Sequence, residues 1–242
     1  MMPTFESMRK GYKNLWDNCE VIRKKEADKV ADKIIANKDK YRVVEQYTGV
    51  PWYMVGALHN RESGMDFSTH LHNGDTLTAK TVRVPAGRPP GKPPFTWEDS
   101  AIDALTMEGH KLHEITDWTI ERILYECEKF NGWGYIKHEI NSPYLWAGTD
   151  RYISGKYIAD GEFSSTAVDK QLGVVCILKS IFDKTGQEDK PVPSTVTGKA
   201  TGVGGVVAAA GLGAYEFSDY AIYIIIAGLV LAGLAWWAIP KK

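Results

Sequence analysis

Pro51 and Gly64 bracket twelve residues, and that bracket sets the frame for the rest of the chain. Proline presets the helical φ and has no N–H to leave unpaired in a first turn, while glycine ends helices readily, so a helix is predicted between them. Val55, Leu58 and Glu62 fall at i, i+3 and i+7 and share one face. A carboxylate therefore rides the apolar stripe. Burial and the negative end of the helix dipole both favour its neutral form. Arg61 opposes that shift, but at i−1 it leaves the helix in another direction. A surface glutamate near a helix end is the commoner arrangement. What sets Glu62 apart is the polar loop that follows, with Asp75 thirteen residues on.

A chain of 242 residues, 44% hydrophobic and 24% charged, has room for one sizeable globular domain plus an appendage. Its formal net charge of −1 gives no field to gather nucleic acid, so no nucleic-acid partner is expected. Cys19, Cys127 and Cys176 are far apart and form no CxxC pair, which reads as packing thiols made in a reducing compartment. The charged start shows no signal-peptide h-region, so export by a cleaved signal is not expected.

Helices are predicted over 5–19, 21–36 and 41–47, the second with Ala27, Val30, Ala31, Ile34 and Ile35 on one stripe. Arg23, Lys24 and Lys25 sit among Glu20, Glu26 and Asp28, which makes a solvated face. Between 68 and 94 the helical period vanishes, turn residues and prolines crowd in, and a small hairpin over 76–84 is predicted around Ala79-Lys80. Thr96 caps a helix running to Gly109, and Thr116 one running to Gly132. Ser164-Ser165-Thr166 opens a last, nearly all-round apolar helix.

From Lys184 the composition turns linker-like. Residues 221–239 carry no charge, and nineteen residues at about 1.5 Å each reach about the 30 Å of a bilayer core. Tyr220 and Tyr223 at one end, Trp236 and Trp237 at the other, and terminal lysines complete a transmembrane pattern. The expected organisation is a catalytic domain over 1–183, a linker over 184–200, a Gly/Ala-rich stalk or second apolar segment over 201–219, and a membrane helix over 220–240.

Gly49-Val50-Pro51 leading a helix that ends in Glu62-Ser63-Gly64 resembles the lysozyme superfamily in its goose-type lysozyme and lytic transglycosylase branch. The run His59-Asn60-Arg61-Glu62-Ser63-Gly64 with His70-Leu71-His72-Asn73-Gly74-Asp75 is similar to phage and prophage endolysins of that branch, some of which carry a membrane-spanning C-terminus. The likeness covers roughly 40–183. It implies a mainly α, α+β lysozyme-like domain with a small β-hairpin, acting on bacterial peptidoglycan without a cofactor or metal. It also implies Glu62 as general acid and Asp75 as the second carboxylate, since glycoside cleavage needs an acid that keeps its proton near neutral pH. Phe130-Asn131-Gly132 with Tyr135 faintly resembles the Tyr-Asn cleft motif of the transglycosylases, with Phe in the leading place.

Around that pair, His72 and Thr76 are candidate hydrogen-bonding groups for substrate. Tyr135 and Trp146 either stack on sugar rings or close the core. If Asp75 lies too far from Glu62 to hold a water, the sugar's own hydroxyl attacks instead, as in lytic transglycosylases. Two rival classes stay open. His70 and His72 on a strand would project to one side, with His59, Asp66 or Asp75 as a third zinc ligand, although no HExxH motif is present. A tail-anchored scaffold would explain the C-terminus but not a carboxylate on an apolar face.

Overall fold

The computed structural model describes residues 2–187 and the dipeptide Val192–Pro193, within the first of two compact units, Met1–Gly202. The described residues are mainly helical. The helices are α1 (Phe5–Asn18), α2 (Lys24–Ala36), α3 (Lys38–Thr48), α4 (Trp52–Ser63), α5 (Trp97–Thr106), α6 (Ile120–Asn131), the single turn α7 (Pro143–Trp146) and α8 (Val174–Thr185). Four short strands, β1 (Asp117–Trp118), β2 (Lys156–Ala159), β3 (Glu162–Ser164) and β4 (Val192–Pro193), form two antiparallel pairs, β1 with β4 and β2 with β3.

Hydroxyl caps start several of these helices. Thr4 and Ser7 form a reciprocal capping box on α1, and Thr96, Thr119 and Ser142 accept backbone N–H groups at the starts of α5, α6 and α7. Pro51 caps α4 without a side-chain bond, and the Glu45 carboxylate takes over by accepting the Trp52 N–H at 3.0 Å. Gly64 closes α4 in the left-handed region at φ +61°, where glycine alone is unstrained.

α4 is the axis of the core. Its residues from Trp52 to His59 are all buried, an all-round burial that only an interior helix tolerates. α2 and α3 cover one flank, and α8, itself buried along most of its length, covers another. Gly56 permits the α2 approach: a β-carbon there would lie 2.5 Å from Ile34 Cγ2.

Three expectations need correction, the first being the start of α6, which Thr119 caps in place of Thr116 because Asp117–Trp118 forms β1. No hairpin forms over 76–84, where the only pairing is an isolated bridge between Thr69 and Thr76. The Asp75 carboxylate captures the Val82 and Arg83 N–H groups, and the Thr81 N–H turns back to the Arg88 carbonyl, so the donors a ladder needs are taken. The last helix starts at Val174 rather than Ser164, because Ser164 is taken up in β3, paired with Lys156, and Gly173 is still extended as the N-cap. Within 184–200, Val192–Pro193 pairs antiparallel with β1.

The apolar segments 201–219 and 220–240 lie outside the described residues. Among the described residues no helix is long and apolar enough to cross a membrane. Cys19, Cys127 and Cys176 are free thiols packed in the core.

Gly56→Ala will lower the free energy of unfolding by about 1–3 kcal/mol, because Ile34 is fully buried and its β-branched side chain has no room to yield. Its gain in helix propensity, at most about 1 kcal/mol, is smaller. A urea melt with an earlier midpoint and an unchanged slope is the expected record.

Candidate active site

Glu62 leaves the core with the last turn of α4 and is only partly exposed. Its Oε1 accepts the hydroxyl proton of Tyr144 at 2.6 Å. Tyr144 is buried and stands on the α7 turn, which Ser142 caps and Pro143 opens. Among the described residues Glu62 Oε2 has no hydrogen-bond partner. Desolvation pushes the Glu62 carboxyl above the usual carboxylate range, against a smaller downward pull from the Tyr144 hydroxyl and from Arg61.

Arg61 is occupied elsewhere. It donates to the Leu172 carbonyl at 3.2 Å and to Asp169 at 3.3 Å, and its guanidinium lies 4.6 Å from the centre of the Tyr144 ring. Gln171 donates to the Asn60 and Arg61 carbonyls, satisfying acceptors that the end of a helix leaves free. The segment before α8 thus grips the end of α4. With no hydrogen bond from Arg61 to Glu62, its downward pull on the acid acts through space alone.

The loop brings Asp75 to the same end of α4, where a β-carbon on Gly74 would lie 3.9 Å from the Glu62 carbonyl. Both Asp75 oxygens are engaged: Oδ2 accepts the Val82 and Arg83 N–H groups, and Oδ1 accepts the Arg83 guanidinium at 2.7 and 2.5 Å. Those bonds, the Val82 N–H foremost, hold its pKa down to about 2. An anion so fully bonded is a poor base. As it stands, it ties the loop together.

The other expected site residues divide. Thr76 is exposed and shares a 3.1 Å hydrogen bond with Thr78. Tyr135 is half-buried, stacked edge-on against Tyr157, and its hydroxyl accepts the Tyr157 N–H. Trp146 does not line a groove: it is 1% exposed and closes the core. His72 is not a cleft donor either. Its side chain is fully buried, with Nε2 2.8 Å from Asp103 and Nδ1 3.4 Å from Ser100. His70 meets the same Ser100 hydroxyl at 2.8 Å and the Ala79 carbonyl at 2.8 Å. Both imidazoles do converge, but on a serine, and protein groups fill their nitrogens. Among the described residues no three or more His, Cys, Asp or Glu side chains are grouped as metal ligands.

Two further groups belong to this neighbourhood. Tyr144, the direct partner of Glu62, was masked in the sequence by a turn too short for helical periodicity, although Ser142-Pro143 is an N-cap signal. Glu128, 4% exposed on α6, accepts the Ser142 hydroxyl at 2.6 Å while its Oε1 has no partner. It falls at i+4 and i+8 from Leu124 and Ile120, the same carboxylate-on-a-stripe pattern that singled out Glu62. Burial pushes its pKa up to about 7.

Two surface hollows of about 350 Å³ each lie nearby in sequence. One includes Tyr152 and Asp169, the ion-pair partner of Arg61, and the other is formed by Met2, Pro3, Trp133, Ile136 and Lys137. Glu62 lines neither.

Glu128 takes up a proton on folding between its unfolded pKa near 4.5 and its folded value of about 7. Its contribution to stability is complete below about pH 4.5 and is lost as pH rises through 7. Glu128→Gln, which cannot ionise, will therefore gain on the natural protein between pH 5 and pH 8 by up to about 3 kcal/mol in paired denaturant melts. Comparison of the chain with protein-family models, with curated proteins and with solved structures gives no match.

Proposed function

We propose that the chain is a peptidoglycan-cleaving enzyme, a lysozyme-like endolysin in which Glu62 protonates the glycosidic oxygen between N-acetylmuramic acid and N-acetylglucosamine. The observation that carries this reading is the Glu62 carboxyl itself. It stands in the last turn of a helix buried from Trp52 to His59, raised in pKa by desolvation and held by one tyrosine hydroxyl, with no hydrogen bond to its second oxygen among the described residues. Burial raises the pKa of such a group, the direction that a general acid needs. The resemblance of residues 59–64 and 70–75 to phage endolysins supports the same substrate.

Two outcomes follow bond protonation. In hydrolysis, a second carboxylate activates water at the sugar's anomeric carbon. In transglycosylation, the muramic acid's own hydroxyl attacks that carbon, passes its proton to the Glu62 carboxylate, and leaves an anhydro sugar. The saturation of Asp75 by Arg83 and two backbone N–H groups favours the second outcome, in which Glu62 serves alone. No cofactor is required by either route. The uncharged stretch 221–239 would tether the enzyme to the bacterial inner membrane, with its catalytic domain directed at the cell wall.

Glu62→Gln will lower the rate at which the purified chain clears a peptidoglycan suspension by at least about 10²-fold while its circular dichroism stays unchanged. Lysis retained in that variant refutes the assignment. Mass spectrometry of the products will give anhydro ends, one water lighter than hydrated ones. Hydrated ends, together with loss of lysis in Asp75→Asn, would restore Asp75 as the base.

A further inference from the structure

Two hydrogen bonds, Ser142 to Glu128 and Tyr144 to Glu62, stand on either side of the α7 turn, and the backbone of that turn joins them. Glu128 on α6 receives the Ser142 hydroxyl proton at 2.6 Å. Ser142 caps α7, accepting the Leu145 N–H on its hydroxyl at 3.4 Å and the Trp146 N–H on its carbonyl at 2.9 Å. Tyr144 is the second residue of that turn and donates to Glu62 at 2.6 Å. α7 is only four residues long, too short to hold its own geometry by internal bonds. The direction of the Tyr144 hydroxyl depends on what anchors the cap.

Glu128 has no role in contacting substrate, being buried, and its burial with one unpaired oxygen is costly. A polar residue kept in an apolar wall at such cost calls for a return elsewhere. We infer that Glu128 is a positioning residue: by fixing the Ser142 cap it aims the Tyr144 hydroxyl at Glu62 and so sets how tightly the candidate general acid holds its proton. The inference rests on the reading of Glu62 as the acid. The groups around the path are Tyr12 from α1, Cys127 beside Glu128 on α6, and Tyr135 from the segment after it. Arg61 lies over the Tyr144 ring. None of them links Ser142 to Tyr144, so the cap is the route by which Glu128 reaches Glu62.

The test reads the Glu62 titration directly and needs no substrate. The full chain is labelled with ¹³C at glutamate Cδ, the Glu62 signal is assigned by its loss in Glu62→Gln, and its midpoint is followed against pH. Tyr144→Phe removes a donor that favours the carboxylate, so the midpoint rises, by about one pH unit. Ser142→Ala and Glu128→Ala produce a rise of the same sign. Ser142→Thr, which keeps the hydroxyl, and Glu128→Gln, which keeps an acceptor for it, stay near the natural midpoint. The double variant Ser142→Ala with Tyr144→Phe shifts no further than Tyr144→Phe alone.

An unchanged midpoint in Ser142→Ala, or shifts that add in the double variant, overturns the inference. A general loosening of the fold would not reproduce the rescue by threonine or the lack of additivity. Should Glu128→Ala fail to fold, the serine variants decide. Peptidoglycan clearing is measured on the same samples. Absence of lysis in the natural protein with the titration pattern intact would defeat the enzymatic reading and leave the positioning path standing.

Discussion

A helix buried along eight successive residues has one place to bring a charge to water, its end. α4 is such a helix, and the desolvation of its interior turns supplies the force that seats everything around it. The Ile34–Gly56 contact draws in α2, the Glu45 carboxylate ties the start to α3, and Gln171 with Arg61 ties the finish to the segment before α8. With both ends tied, Glu62 is delivered to a fixed point. A carboxyl on a mobile turn would find water and ionise; this one meets a single tyrosine.

The contrast between Glu62 and Asp75 follows from the same source. Both belong to short polar runs flanked by apolar residues, yet one is pushed above and the other far below the ordinary carboxylate range. Desolvation accounts for the rise at Glu62, and beyond it the two differ in hydrogen-bond donors. Glu62 has one, and Asp75 has two backbone N–H groups and a guanidinium. Divergent environments around two acids separate a proton donor from a permanent anion. Here the permanent anion is spent on loop architecture.

Local periodicity made α4 legible from sequence, because Pro51, Gly64 and the stripe between them are all within one element. Caps at Thr96 and the stop at Gly132 were legible for the same reason. What could not be read was partnership across distance: Tyr144 reaches Glu62 over 82 residues and Ser142 reaches Glu128 from another element. The loop after Gly64 misled because β-branched residues around Ala79-Lys80 suggest a ladder, whereas an aspartate that bonds the backbone further on pre-empts it. Trp146 and His72 show the limit of composition, since aromatic and imidazole groups suit a groove and a core equally. Only the packing distinguishes them.

The loop's anchorage has a consequence for the protein in acid. His59, wedged among Tyr41, Phe67 and Trp97, and His110, stacked on Phe130, are both held neutral by burial with pKa values of about 4. Each contributes stability above about pH 6.5 that is lost as pH falls through 4. Asp75 keeps its charge to about pH 2. Acidification therefore charges two imidazoles in the interior before it neutralises the carboxylate that fastens the loop.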